Sequence, residues 1–173
     1  TERRTGEAVA DYERALAGDP KHAKAHNNLA LALVELGNLD EAESHFSASL
    51  AIEPKAEIYS DRGFIKAELG QPQDALADYQ KALELDPTCP SAHVNLAVMA
   101  VQGGDFPTAE SHYRQAIPGR DTAETHNGLG YVLAHQGKAG EATAEFRKAI
   151  EIDPHFTPAY NNLAGTLEQQ GQL

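Results

Sequence analysis

Small and aromatic residues recur along this chain with the spacing of one helical face. In the first segment Ala8, Tyr12 and Ala15 are separated by four and then three residues, so they share one face of an α-helix. Small side chains let a neighbouring helix come close, and the ring fills the space between them. The pattern predicts five such helices, the other four carrying Ala42, Phe46 and Ser49; Ala75, Tyr79 and Ala82; Ala109, Tyr113 and Ala116; and Ala142, Phe146 and Ala149.

Glycine and proline divide the chain into units of 33 or 34 residues. Gly37 suits the left-handed residue that ends a first helix, and Pro54 ends a second helix because proline lacks an N–H. The pattern therefore predicts helix–turn–helix units. The recurring residues are Gly37, Gly70, Gly104, Gly137 and Gly171; Pro54, Pro87 and Pro154; and, within the first helices, the small residues Ala30, Gly63, Ala97, Gly130 and Ala164.

Taken together, these features resemble the tetratricopeptide repeat. LGQPQDALADYQKALELDP at 69–87 shows the spacing, small positions, aromatic residue and closing proline of that family, and the likeness covers essentially the whole chain. The resemblance implies an all-α fold, a right-handed α-solenoid (superhelix) of stacked antiparallel helix pairs whose first helices line a concave groove. We expect one solenoid over 1–173: an unpaired second helix at 5–18, repeats at 23–55, 56–89, 90–122 and 123–156, and an unpaired first helix at 157–171.

Two units depart from the pattern. Pro118 and Gly119 are predicted to end the second helix of the third repeat early. In the second repeat, Arg62 and Lys66 stand where the sister repeats carry apolar residues. We expect Arg62 to extend its charged end to solvent along an apolar stem, and the alternative is that it binds an anion.

Beside the core stripe of each first helix runs a second stripe of different chemistry. An amide side chain such as Asn28 is followed one turn later by an apolar residue such as Leu31. Because an amide both donates and accepts, it can bond a peptide backbone whatever the peptide sequence. The predicted peptide-binding groove comprises Asn27, Asn28, Leu31, Glu35, Asp61, Phe64, Asn95, Val98, Gln102, Asn127, Tyr131, His135, Asn161 and Asn162.

One position of this stripe is similar to the asparagine ladder that holds substrate chains in the tetratricopeptide domain of O-GlcNAc transferases. The likeness favours an interaction scaffold that binds an extended segment of a partner protein. The alternative interpretation of these residues is a solvated helix face. The ladder position is filled here by Asn28, Asp61, Asn95, Gly128 and Asn162.

The acidic charge of the chain limits which kinds of partner it is expected to bind. The net charge of −12 disfavours nucleic acid, whose recognition needs a basic surface. No apolar run approaches the roughly 20 residues that membrane insertion requires. The groove candidates are mostly acidic, so they would repel an acidic tail and favour a neutral to basic segment. The single cysteine, Cys89, leaves no internal disulfide and suits a reducing compartment, which favours the cytoplasm.

The histidines do not predict catalysis or a metal site. His26, His93 and His126 share a position with Tyr59 and Tyr160, which predicts a flat ring packed between repeats. Successive rings would lie about 8–10 Å apart, whereas zinc–nitrogen bonds are about 2 Å. His22 lies four residues before His26, as metal ligands on a helix do, but we expect it to precede that helix. No nucleophile–base set appears, so we predict a non-enzyme without metal or cofactor.

Two further functions remain as alternatives. The chain could be the substrate-recruiting arm of a larger enzyme, such as a glycosyltransferase, whose catalytic domain lies outside this chain. It could also be a structural scaffold that self-assembles head to tail, because the chain is expected to begin with an unpaired second helix and to end with an unpaired first helix. Apolar residues at these ends, including Val9, Leu16 and Leu163, would then meet a second copy.

Overall fold

The computed structural model describes residues 2–171, with side chains from Arg4 onward; the first residue and the last two of the predicted 1–173 solenoid lie outside this range. The described residues form ten α-helices and no strand. The helices are α1 Glu2–Gly18, α2 Ala23–Glu35, α3 Leu39–Ile52, α4 Ala56–Glu68, α5 Pro72–Leu85, α6 Pro90–Gln102, α7 Phe106–Ala116, α8 Ala123–His135, α9 Ala139–Ile152 and α10 Thr157–Gln169.

The first helices end at glycine, as the sequence predicts. Gly37 has a φ of 79°, a left-handed conformation that glycine adopts without strain. The Gly37 N–H donates to the Val34 carbonyl at 3.0 Å, and the Asn38 N–H donates to the Leu33 carbonyl at 2.9 Å. This is the Schellman pairing, and it satisfies carbonyls that a helix end otherwise leaves without a partner. Gly70, Gly104, Gly137 and Gly171 have a similar left-handed conformation, with φ between 66° and 76°.

The second helices end before proline. Glu53 follows α3 with an extended backbone, φ −141° and ψ 100°, because the following Pro54 disfavours the helical conformation. In the third repeat α7 is only 11 residues long, against 14 for α3, α5 and α9. It stops at Ala116, two residues before Pro118, so the predicted early end is confirmed.

The helices form two compact units that divide between Pro87 and Thr88. In the first unit, α1 to α5 enclose a core that includes Leu29, Phe46 and Ile65. Val9 and Leu16 of α1 pack against that core while remaining half-buried. The unpaired second helix therefore joins the core of the first unit through its apolar face.

The second unit, α6 to α10, is organised in the same way. Leu129, Leu133 and Phe146 are almost fully buried and pack with Tyr113 in one cluster. Ala149 and Ala159 form a smaller cluster with Ala123, where three small residues bring α8, α9 and α10 close together. Of these three, Ala149 is one of the small positions that the sequence predicts.

Gly130 shows how tight that approach is. A Cβ atom added to Gly130 would lie 2.6 Å from Cε1 and 2.7 Å from Cδ1 of Phe146, whose side chain is 1% exposed. By contrast, a Cβ added to Gly165 on α10 meets no atom within 4 Å. The two helical glycines therefore form a matched pair for measuring the packing constraint.

We expect Gly130→Ala to destabilise the protein by about 1–3 kcal/mol, because the ring of Phe146 must shift within a packed core. Gly165→Ala is the control and should stabilise by up to about 1 kcal/mol through helix propensity alone. The urea midpoint, followed by circular dichroism, measures both. Equal stabilisation by the two substitutions would show that Phe146 does not constrain position 130.

Candidate functional site

Large apolar side chains lie exposed at one repeating position of the first helices. They are Leu31 on α2 and Phe64 on α4 in the first unit, and Val98 on α6 and Tyr131 on α8 in the second. Each is between 38% and 45% exposed. These are the apolar members of the groove that the sequence predicts. Since they recur at one position instead of being scattered, each unit presents an apolar stripe suited to interaction.

In the first unit the polar members of the predicted groove line two clefts. Asn28 borders both. A cleft of about 620 Å³ also has Leu31 and Glu35 in its wall, and Thr5 of α1 donates to Glu35 there at 3.1 Å. A cleft of about 340 Å³ is lined by Asn27, Asn28 and Asp61 together with charged residues of α2, α4 and the segment between α3 and α4: Lys24, Glu53, Lys55 and Glu57. The predicted residues of α2 and Asp61 of α4 therefore converge.

In the second unit four predicted residues line one cleft of about 350 Å³. Tyr131 and His135 come from α8, and Asn161 and Asn162 from α10. The Asn162 amide Nδ2 donates to Asn127 Oδ1 at 2.9 Å, which links the first helices of successive repeats. Residues that the sequence separates by a whole repeat are thus joined directly.

The aromatic wall of this cleft is held in place by stacking. His135 lies parallel to Phe106, with ring centroids 4.8 Å apart and an interplanar angle of 2°. His135 also contacts Tyr131, with centroids 4.3 Å apart. Phe106, at the start of α7, does not line the cleft but supports its His135 ring, and the sequence pattern did not identify it.

The remaining predicted residues lie outside the three clefts. Phe64, Val98 and Gln102 are exposed on the surfaces of α4 and α6, and Asn95 is half-buried on α6. They occupy the same stripe as the cleft residues, but no described cleft brings them together with Asn28 or Asn162.

The ladder position carries glycine at 128 for a packing reason. A Cβ atom at Gly128 would lie 2.5 Å from Cζ and 2.7 Å from Oη of Tyr113, which is buried. The Tyr113 ring therefore fills the space that an asparagine side chain would need. In the second unit the run of amides is interrupted between Asn95 and Asn162.

The histidine rings pair within their own repeats and also reach the segment before them, where Nε2 of His26 lies 3.1 Å from the Pro20 carbonyl oxygen. Nδ1 of His26 lies 3.0 Å from Nδ1 of His45, and the same distance joins His93 and His112. The reason is the antiparallel helix pair, which sets residues 19 apart face to face. Over residues 2–171, no group of three His, Cys, Asp or Glu side chains could hold a metal ion.

The fourth repeat replaces the second ring of this pair by a carboxylate. Nδ1 of His126 lies 2.6 Å from Glu145 Oε2 and Nε2 lies 2.7 Å from Asp121 Oδ1, so each ring nitrogen faces a carboxylate. His22 also has a defined role: it caps α2, and its ring accepts a hydrogen bond from the Ala25 N–H at 3.1 Å. It precedes the helix, as expected.

The paired rings make stability depend on pH. Burial, and then the neighbouring His93, lower the pKa of His112 below 6.5. The unfolded chain therefore binds more protons than the folded chain as the pH falls below about 6.5, so stability falls with pH there. His112→Glu copies the Glu145 arrangement and removes the group whose lowered pKa costs stability at low pH. The variant should therefore lose less stability than the unmodified protein as the pH falls.

We expect the Tm of His112→Glu, relative to the unmodified protein, to rise as the pH is lowered from about 7.5 to about 5.5. Thermal unfolding across that range measures the difference. His155→Gln, at an exposed histidine outside the helices, is the control and should follow the unmodified protein. Parallel curves for His112→Glu and the unmodified protein would contradict the explanation.

The Arg62 guanidinium is bonded within the protein. The expectation that it extends to solvent and the alternative that it binds an external anion are therefore both wrong. Its Nε and Nη2 donate to the two carboxylate oxygens of Asp78 at 2.8 and 2.6 Å, and Nη1 donates to Ser47 at 2.9 Å. Lys66 Nζ lies 3.0 Å from the same carboxylate. The hydrogen bond with Asp78 raises the pKa of Arg62. Asp78 on α5 lies on a helix that the sequence pattern did not connect with Arg62.

Removing that carboxylate should be costly. Asp78→Asn leaves Arg62 and Lys66 largely enclosed without a counter-charge, and we expect a loss of about 3 kcal/mol, the lower end for a broken buried pair. The lower end applies because the Arg62 side chain keeps 17% exposure. Chemical denaturation measures the loss.

The combined variant Arg62→Leu, Lys66→Leu and Asp78→Ala is the control for this cluster. It removes all three charges together, and we expect it to recover most of the stability because well-packed apolar residues can replace a buried ionic group. If Asp78→Asn unfolds at the same urea concentration as the unmodified protein, the cluster does not stabilise the fold.

Five family models described as tetratricopeptide repeat match this chain, at residues 1–60, 56–89, 90–115, 123–156 and 145–173. Among solved structures, the Cut9–Hcn1 hetero-tetramer of the APC/C has a TM-score of 0.85 at 19% identity, covering 98% of this chain and 34% of that chain. YrrB, described as a TPR protein with an unusual peptide-binding site, has a TM-score of 0.66 at 24% identity, covering 92% and 83%. The predicted fold class is confirmed.

Curated relatives are similar over only part of their lengths. Tetratricopeptide repeat protein 6 of Homo sapiens is 29% identical over 103 residues, which is 60% of this chain and 20% of the relative. TPR repeat-containing protein PA4299 of Pseudomonas aeruginosa is 34% identical over 118 residues, 66% and 46% respectively. Protein O-mannosyl-transferase TMTC3 of Homo sapiens is 25% identical over 169 residues, which is 94% of this chain and 18% of that relative. The chain thus spans less than half of each relative.

Among the described helices, none is long and apolar enough to cross a membrane.

Proposed function

Because the chain belongs to the tetratricopeptide-repeat family, we propose that it is a non-catalytic interaction scaffold that holds an extended segment of a partner protein on the exposed stripe of its first helices. The observation that carries this proposal is the recurrence of Leu31, Phe64, Val98 and Tyr131 as exposed apolar side chains at one repeating position. Ile52, Leu85 and Ile152 are as exposed at the ends of the second helices, but the first-helix position differs because amide side chains lie on the same stripe and clefts open beside it.

The neighbouring amides supply the polar half of the interaction. Asn28 borders two clefts of the first unit, and Asn162 is oriented by Asn127 in the second. Each amide bond to a peptide backbone contributes about 0.5–1.5 kcal/mol. Several such bonds together with apolar burial give an affinity suited to an extended segment.

The charge of the first unit favours a neutral to basic segment. Glu35, Glu53, Glu57 and Asp61 line its clefts together with Arg4, Lys24 and Lys55, so carboxylates outnumber basic side chains there by one. The whole chain carries a net charge of −12. A basic segment would be drawn toward this surface, whereas an acidic segment would be repelled.

A random peptide library displayed on phage tests the proposal with the full chain as bait. We expect peptides to be selected, and the double variant Leu31→Ser with Phe64→Ser to weaken the best of them at least about tenfold, since burying each such side chain contributes about 1.5–3 kcal/mol. Fluorescence polarisation with synthetic peptide measures the change.

Leu76→Ser is the matched control. Leu76 is 37% exposed but lies on the second helix α5, away from the stripe. It should leave the affinity unchanged. If Leu76→Ser and the stripe variant weaken binding equally, or if no peptide is selected, the proposal fails.

A second candidate function is favoured by one comparison. The alignment with an O-mannosyl-transferase covers 94% of this chain but only 18% of that enzyme. The same groove would then recruit substrate for a catalytic domain elsewhere in a longer protein. A transferase domain in the adjoining coding sequence would identify this role, and the groove chemistry described above would apply unchanged.

A further inference from the structure

The stripe position that carries a large apolar side chain on the earlier first helices carries glycine on α10. Leu31, Phe64, Val98 and Tyr131 hold it on the preceding first helices, and Gly165 holds it on α10. This is the one first helix of the described chain that presents no side chain there. The space next to Tyr131 is consequently open.

The opening is large enough for a ring. A Cβ atom added to Gly165 would meet no atom within 4 Å. The cleft that Gly165 lines measures about 350 Å³, against the roughly 150 Å³ of a cavity that holds benzene. Its walls belong to α8, α9 and α10, so every helix that shapes it lies within the second unit.

The described residues that line this cleft include no Asp, Glu, Lys or Arg. Its apolar lining comes from Tyr131, Ala134 and Phe146, and its polar rim from the His135 ring and the amides of Asn161, Asn162 and Gln169. The clefts of the first unit differ, since one is bordered by Arg4 and Glu35 and the other by several charged residues. A charged side chain entering this cleft would lose water without gaining a counter-charge.

The aromatic wall is also preorganised. His135 stacks on Phe106 and makes a tilted ring contact with Tyr131, which limits the positions of the Tyr131 ring. Asn162 is oriented by its bond to Asn127. A ring inserted beside Tyr131 would gain about 0.5–1.5 kcal/mol from the aromatic pair beyond its area of burial. A rigid wall loses little conformational entropy when the ligand binds.

We propose that the cleft at Gly165 is a specificity subsite that accepts one aromatic side chain, with uncharged neighbours, from the segment bound on the stripe. Asn161 and Gln169 on its rim bond the backbone on either side of that residue. The absence of a side chain at Gly165 makes the subsite possible, because a larger residue at this position would occupy it. This inference rests on the proposed function and specifies the chemistry of its ligand.

Gly165→Leu tests the subsite by placing a leucine where α2 carries Leu31. The control is Gly140→Leu on α9, where an added Cβ also meets no atom within 4 Å. Both substitutions remove a helical glycine, so both should keep or raise the Tm. A normal Tm shows that an effect on binding is not caused by unfolding.

Phage selection with the unmodified chain provides the ligands, and synthetic versions of the best peptides are measured by fluorescence polarisation. We expect one aromatic residue flanked by uncharged residues in the selected peptides. Gly165→Leu should weaken these peptides at least about tenfold and leave variants with alanine at the aromatic position unchanged. Tyr131→Ala should weaken the same peptides, and Gly140→Leu should have no effect.

The outcomes separate this subsite from the broader function. If peptides bind the stripe but show no aromatic preference, or bind Gly165→Leu as well as the unmodified chain, the subsite is wrong while the scaffold function stands. If the chain selects no peptide at all, both proposals fail.

Discussion

The close approach of helices, which small residues permit and aromatic rings complete, is the interaction on which this structure depends. At Gly63 an added Cβ would lie 2.6 Å from the Tyr79 ring, and at Gly130 the same distance separates it from Phe146. Such contacts leave no room for one extra carbon without a shift in the ring. Since the dispersion energy of a packed core falls off steeply with separation, these contacts constrain the helix spacing in the second and fourth repeats.

The surface chemistry follows from that packing. One stripe of each first helix packs against the second helices. The adjacent stripe faces outward, so its residues can vary. Leu31 and Tyr131 show what this surface retains, namely large apolar side chains at a constant position. Gly165 shows that one such position can change without disturbing the core, because nothing packs against it. Variation between repeats on this stripe therefore changes the surface and leaves the core intact.

Several polar groups inside the repeats have a polar partner on the facing helix. The pairs His26–His45, His93–His112 and His126–Glu145 place a second polar group opposite each ring. In the second repeat, the Asp78 carboxylate instead forms salt bridges with Arg62 and Lys66. Burial of a polar or charged group without such a partner would cost several kcal/mol, so a substitution on one helix requires a matching residue on the other.

Sequence periodicity was sufficient to predict the helix pairs, their ends and the exposed stripe, because these depend on spacing along one chain segment and on the local conformations of glycine and proline. It could not predict that His45 faces His26, that Asp78 neutralises Arg62, or that Tyr113 occupies the space beside Gly128. Those contacts join residues between 15 and 19 positions apart, and they depend on how side chains meet across two helices. Only the packed structure decides which residues meet, since the same periodic pattern is compatible with several polar pairings and with either a filled or an open cleft.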